Sequence, residues 1–241
     1  MKPNATHTVA PSPASLAVPR SPIGLGLATS LLLGAVIVTD VLSLASGAYL
    51  YDLLRGAPHA EAALWTVPGV EDRQLSYDLF GLLQSAFYLS TGIVYVCWLY
   101  RSRDNAEVFA PGTQRRGRSW TGWGWLVPVV NLWFPRRVTL DIWNASRSVG
   151  PNSPDRVGPG LINLWWGFWL AQGFIALAGG AVYDTAESIG PTNVGLGLLM
   201  VSDLVDIVSA VLALRLVRTL THMQHVKARH GLTAQEGESF S

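Results

Sequence analysis

The chain has 241 residues, 49% of them hydrophobic and only 14% charged, against roughly 25% charged in an average soluble domain; its long uncharged stretches exceed what one core of a domain this size hides. Seventeen basic and sixteen acidic residues leave a net charge of +1, which gives no reason to expect nucleic acid as a partner. The single cysteine, Cys97, rules out an intramolecular disulfide framework and a cysteine-based zinc site.

Residues 1–22 hold five prolines among Ala, Ser and Thr, with no apolar run long enough for a signal-peptide core, and read as a disordered tail. From Ile23 onward the text is uncharged for seventeen residues, meets Asp40, and stays uncharged for eleven more. About 20 apolar residues at 1.5 Å each cross roughly 30 Å of hydrocarbon, so residues 23–50 form a first span. The stretch Ala45-Ser46-Gly47-Ala48 resembles a cleavage site, but Asp40 interrupts the apolar region before it, and a retained span is the better reading. Residues 79–99 form a second span, ending in Trp98, Tyr100 and Arg101 as an interface anchor. Residues 161–182 form a third, opened by Trp165, Trp166 and Trp169. A fourth covers about 194–217, interrupted by Asp203 and Asp206.

Between the second and third spans, residues 120–135 are apolar and crowded with Trp120, Trp123, Trp125 and Trp133. Their sixteen residues cover about 24 Å as a helix, short of the membrane core, and Pro128 removes a hydrogen bond in their middle. A re-entrant hairpin or an interfacial segment accounts for both. The turn is expected at residues 128–131, with the Asn131 side chain satisfying backbone groups left unpaired at depth. Residues 136–149 then read as an amphipathic helix between Pro135 and Pro151. Val138, Ile142, Ala145 and Val149 lie on one face and Arg137, Asp141, Asn144 and Ser148 on another. The apolar face and Trp143 rest on lipid headgroups or on the protein's own bundle.

Basic residues set the orientation, since cytoplasmic loops retain Lys and Arg. The first outer connection holds Arg55 and Arg73 and the second holds none. The central connection and both tails hold the other fifteen of the seventeen. Both ends of the chain and the central connection are therefore expected on the cytoplasmic side. The fold class that follows is all-α: a polytopic integral membrane protein with a four-span domain over residues 23–220 and a C-terminal cytoplasmic tail over 221–241.

The stretch beginning RSRDNAEVFAPG at Arg101 and continuing through WGWLVPVVNLWFPRRVTLDIWNAS carries Trp125, Pro128, Asn131, Pro135 and Trp143. In these residues and in the order of spans, roughly residues 20–225 resemble the multi-pass bacterial membrane family catalogued as domain of unknown function 4328. The resemblance implies a multi-pass protein of a bacterial inner membrane and no chemistry, because that family has no assigned activity.

Counting along the spans brings Asp40, Gln84, Gln172, Asp203 and Asp206 toward one depth. No Lys or Arg occurs in the core of any span. Carboxylates there require water, a cation or hydrogen-bond donors, and Asp203 and Asp206, three apart, share a helix face. One reading is a proton or cation pathway; the blander one is packing by hydrogen bonds between helices. Small pairs four apart (Gly81 and Ser85, Ala86 and Ser90, Ala176 and Gly180, Ser209 and Ala213) read as close helix packing. Arg115, Arg116 and Arg118, with Arg136 and Arg137, are candidate contacts for anionic lipids or a partner, or serve only to fix topology.

Enzyme signatures are missing. Tyr183-Asp184 has no Gly-x-Gly-Asp counterpart, His222 and His225 lack a nearby carboxylate or thiol, and no phosphate-binding glycine loop, Gly-x-Ser-x-Gly or His-Glu-x-x-His occurs. No catalytic residue, metal or cofactor is expected. The expected partners are the lipid bilayer, anionic lipids, and a second copy or another membrane protein. Three functions are carried forward: first a non-enzymatic scaffold or regulatory component, second a small transporter or proton or cation pathway using the intramembrane aspartates, and last a membrane enzyme.

Overall fold

The computed structural model describes residues 19–57, 59–147 and 158–239, the side chains of 231–239 excepted. Most of the first predicted tail, together with Ser148, Val149 and Arg156, lies outside the described residues. Six α-helices follow one another: α1 (Ile23–Arg55), α2 (Val70–Phe109), α3 (Trp120–Leu126), α4 (Phe134–Ser146), α5 (Gly160–Asp184) and α6 (Ile189–Ser239). The described residues contain no strand. One isolated bridge, Ala63 to Ser188, with Ile189 N–H donating to Ala62 O at 3.1 Å, ties the two loops at one end of the bundle. Four helices, α1, α2, α5 and α6, are long and apolar enough to cross a membrane.

Their side chains are sorted as lipid demands. The buried face of α1 is built largely from small and polar residues, Gly26, Thr29, Ser30, Asp40, Ser43 and Gly47 among them. Its exposed side carries Leu27, Leu31, Val38 and Val41, and Leu82, Leu89, Leu177 and Leu204 are exposed on the other long helices. An exposed apolar belt of this extent is foreign to a soluble monomer and matches a helix surface facing hydrocarbon.

The long helices run alternately up and down. α1 packs antiparallel to both α2 and α6, and α6 packs on α5. Glycines permit the close approaches. A Cβ on Gly26 would lie 2.6 Å from the Thr221 hydroxyl, and one on Gly195 would lie 2.6 Å from the Tyr183 backbone nitrogen. The predicted small pairs are distributed differently. Ser209 and Ala213 are buried, but Ser85, Ala86 and Ser90 are exposed, and added Cβ atoms at Gly81 and Gly180 meet nothing within 4 Å. The Ser85 and Ser90 hydroxyls instead donate to the carbonyls of Gly81 and Ala86, both at 2.8 Å, so these serines satisfy themselves on an outward face.

α2 and α5 are joined mainly by large side chains. Tyr95 and Trp165 meet at 5.7 Å between centroids, and Gln172 reaches Tyr88. α2 begins after Gly69, whose φ of 79° suits glycine, with Glu71 and Asp72 in its first turn, where acids favour the helix dipole. At 40 residues it is about 60 Å long at 1.5 Å per residue and extends past both edges of a bilayer core. α6 likewise continues in helical form through residues 221–239.

The tryptophan-rich segment folds back on itself. α3 ends at Leu126, Val127 is extended as the residue before a proline prefers, and a 3-10 turn at Val130–Leu132 leads to α4. The two ends of the segment meet, with the Trp120 and Phe134 rings 4.9 Å apart. Its inner residue Trp125 packs on Tyr95, Trp166 and Trp169. The turn at residues 128–131 is closed by Asn131 N–H donating to Val127 O at 2.8 Å. The expectation for the Asn131 side chain fails, since its Oδ1 is buried without a partner and the backbone closes the turn by itself.

α4 packs against the protein. Pro135, Val138, Ile142, Trp143 and Ala145 are buried, and Trp143 is completely enclosed. Lys227 on α6 donates to Ala145 O at 2.9 Å and Arg147 O at 3.0 Å, satisfying carbonyls at the C-terminal end of the helix.

Candidate functional site

Three helices bring polar side chains to one layer inside the bundle. Asp40 of α1 is fully buried, and Asp203 and Asp206 of α6 are 8% and 7% exposed. Gln84 of α2 stands between two of them. Its Nε2 donates to Asp40 Oδ1 at 2.7 Å and to Asp203 Oδ1 at 2.9 Å. An amide nitrogen has two hydrogens, and both are used. The Ser43 hydroxyl lies within reach of Asp203. Asp40 Oδ2 is buried with no partner at all, and Asp206 lies close enough to feel both other carboxylates while taking no part in this hydrogen bonding.

The antiparallel register produces this meeting. Gly47 sits opposite Tyr77 and Met200, and Gly26 opposite Thr221. Seven residues, about two turns, separate Asp40 from Gly47 on α1 and Gln84 from Tyr77 on α2, which carries Gln84 to Asp40. Asp203 and Asp206 stand three and six residues beyond Met200, on the same side of α6.

Gln172, grouped with these residues by the sequence, joins them indirectly. Its Nε2 donates to the Tyr88 hydroxyl at 3.0 Å and its backbone carbonyl accepts from Ser202 at 3.1 Å. Asp206 lines a cavity of about 160 Å³ together with Tyr88, Thr91, Tyr95, Trp125 and Ser209. Trp125 is thus the motif residue that reaches the site. Trp143 belongs to the packed core, Pro128 and Asn131 to the turn, and Pro135 to the start of α4. Ser43, Tyr77 and Tyr88 are members that sequence reading misses; Tyr77, near Asp203, extends the layer toward Tyr183, 5.9 Å away between ring centroids.

Among the described residues no group of three or more His, Cys, Asp or Glu side chains is arranged to hold a metal ion. The Gln84 amide nitrogen between the two carboxylates presents N–H donors, which hydrogen-bond and do not ligate a cation.

A second polar cluster occupies the end of the bundle where α1 begins and α2 ends. Asn105 Nδ2 donates to Gln224 Oε1 at 3.0 Å, and Gln224 Nε2 donates to Ser102 O at 2.8 Å and Ser146 Oγ at 3.0 Å. Asn105 also exchanges two bonds with the backbone of Arg20, both 2.8 Å. Nearby, the candidate arginines divide. Arg118 forms a two-point ion pair with Asp104 at 2.7 and 2.9 Å, which raises its pKa above the ordinary value. Arg115, Arg116, Arg136 and Arg137 line a separate open cavity.

The family described as Domain of unknown function (DUF4328) matches residues 68–222. The chain belongs to this family. The DUF4328 match runs from the start of α2 through the membrane part of α6, so it includes Gln84, Gln172, Asp203, Asp206 and the arginine cavity, while Asp40 on α1 stands before it. The chain is also similar to an Arabidopsis thaliana protein named "Putative glycerol-3-phosphate transporter 4", at 34% identity over 79 residues, 31% of this chain and 14% of that protein. The likeness thus spans a small fraction of the relative's length. No solved structure matches.

Proposed function

We infer that this DUF4328 protein is a small membrane transporter or proton pathway, and that Asp40, Gln84, Asp203 and Asp206 are its proton-handling site. One observation carries the reading. Three carboxylates meet at membrane depth with one amide, Gln84, and one hydroxyl, Ser43, as donors, no arginine or lysine within the layer, and a cavity opening beside Asp206. A purely structural cluster satisfies its buried polar atoms, whereas intramembrane acids left short of donors mark ion and proton routes by default. The likeness to a protein named as a transporter agrees with this reading but is too short to specify a substrate.

The route we propose enters beside Trp125 and Tyr95, passes the Asp206 carboxylate, reaches Asp40 and Asp203, which the Gln84 amide holds in place without itself carrying the proton, and leaves along Tyr77 and Tyr183. The 120–135 segment acts as a re-entrant hairpin closing one end of this route. Its touching ends and the depth of Trp125 beside Trp169 support that role. The end bearing the arginines is the cytoplasmic side of a bacterial inner membrane, a reading supported by the fifteen basic residues assigned to it. The scaffold function ranks second, and the arginine cavity is its supporting observation.

The test is proton flux into liposomes carrying the full chain, driven by an imposed potential and followed with an entrapped pH dye. The wild type is expected to exceed empty liposomes and Asp206→Asn to fall to their level. Equal flux in the two proteins overturns the pathway. Orientation is tested separately in a Cys97→Ser background, where Ser188→Cys alone, and neither Thr113→Cys nor Ser148→Cys, is expected to react with an impermeant reagent from outside. Labelling at Ser148→Cys would mean that the hairpin crosses.

A further inference from the structure

The arginine cavity calls for its own explanation, independent of the proton pathway. It has a volume of about 610 Å³, and its lining includes Arg115 and Arg116 from the loop after α2, Arg136 and Arg137 from the first turn of α4, and Asn163 from the first turn of α5. Sequence separation of about twenty residues between the two arginine pairs disappears because the hairpin folds back and returns Phe134 to the side of Trp120.

Charge in this cavity is poorly neutralised. Among the described residues Asp141 is the one acidic lining residue, and it stands 3.9 Å from Arg115, leaving the four arginines an excess of three positive charges. Of the remaining arginines, Arg136 and Arg116 are held by uncharged groups. Arg136 Nε and Nη2 both donate to Asn163 Oδ1, at 2.9 and 2.7 Å. Arg116 lies over the Phe134 ring at 4.8 Å, and its backbone carbonyl accepts from Arg103. Arg137 has no side-chain partner among the described residues. Arg118, by contrast, is spent on Asp104. Guanidinium groups fixed by neutral partners are preorganised donors whose charge is still available, and their forked geometry suits a tetrahedral oxyanion. The start of α5, where Pro159 joins the lining, adds the positive end of a 25-residue helix.

We propose that this cavity is a binding site for a phosphate group carried by a small ester or a lipid headgroup, clamped chiefly by Arg116, Arg136 and Arg137. The excess of three charges exceeds what a carboxylate needs and matches a phosphate monoester, which carries between one and a half and two negative charges near pH 7 by the values typical of phosphorylated side chains. The cavity is open on one side, so the group attached to the phosphate extends outward.

The test uses the full chain in nanodiscs of phosphatidylcholine, with tryptophan fluorescence read while inorganic phosphate or glycerol phosphate is added at constant ionic strength. A second arm compares nanodiscs containing phosphatidic acid, the lipid that carries its phosphate as a monoester. Saturable binding is expected in at least one arm. Arg116→Gln with Arg136→Gln is expected to weaken it by a factor of about ten or more, in line with the loss of charge-assisted bonds, while Arg118→Gln leaves it within about twofold. Arg137→Gln, which breaks no internal contact, is expected to weaken binding without changing the melting temperature, and so covers the case in which the double variant misfolds. Response to the soluble phosphates assigns a soluble ester; response only to phosphatidic acid assigns a headgroup. Binding in neither arm, or equal loss in Arg118→Gln and Arg137→Gln, overturns the site.

Discussion

Two buried polar clusters lie along the same bundle, and they differ in how completely their hydrogen bonds are made. At the basic end, the uncharged side-chain amides of Asn105 and Gln224 find partners for all their donors and acceptors on Arg20 before α1, on α2 and on α4, although the neighbouring Ser102 Oγ has none. In the middle, Asp40 and Asp203 share the two hydrogens of one amide, Asp206 stands beside them outside this bonding, and Asp40 Oδ2 has no partner. A satisfied network rigidifies and specifies a fold, whereas an unsatisfied one is unstable on its own account. The first cluster therefore ties the helix ends together, and the second is the one to which the proposed pathway assigns a working role. The difference lies in donor count, not in burial, since Gln224 and Asp40 are both almost fully enclosed.

The comparison can be broken most severely at Gln224. Gln224→Leu removes three hydrogen bonds and leaves Asn105 only its two bonds with the Arg20 backbone, so a loss of about 2–4 kcal/mol is expected, read as a lower melting temperature in detergent. Gly195→Ala should come next. Its Cβ would lie 2.6 Å from the Tyr183 backbone, forcing α5 and α6 apart at a cost of about 1–3 kcal/mol. Ser146→Ala removes one acceptor of Gln224 and is expected to cost about 1 kcal/mol. The smallest stability change is expected at Asp206→Asn, which removes a carboxylate that no hydrogen bond holds; its melting temperature should stay level or rise. A large loss of stability there would mean that both clusters are structural.

The spans were legible because uncharged runs of about twenty residues have few alternatives. Helix ends were not. α2 continues through the charged stretches on either side of residues 79–99 and α6 through residues past 217, where the chain is polar enough to read as loop yet rich in good helix formers. The aspartates stood out against apolar surroundings, and their meeting required only the span register. Tyr88 and Tyr77 stayed hidden, because a tyrosine within a span looks like any other aromatic until a neighbouring helix supplies its partner. The five candidate arginines looked equivalent as a basic patch. Only the path of the loop separates Arg118, captured by Asp104 fourteen residues earlier, from the four around the cavity. The amphipathic period of α4 identified Val138, Ile142 and Ala145 as one buried face, but whether lipid or protein covers them was decided by packing against α2, α5 and α6, distant in sequence.

The most direct measurement compares proton flux and melting temperature in the same preparations of wild type, Asp206→Asn and Gln224→Leu. The account predicts a double separation: Asp206→Asn keeps its melting temperature and loses flux, while Gln224→Leu melts earlier and, below that temperature, still conducts. Flux retained in Asp206→Asn, or lost in both variants in step with stability, would contradict the assignment of the carboxylate layer as the working site.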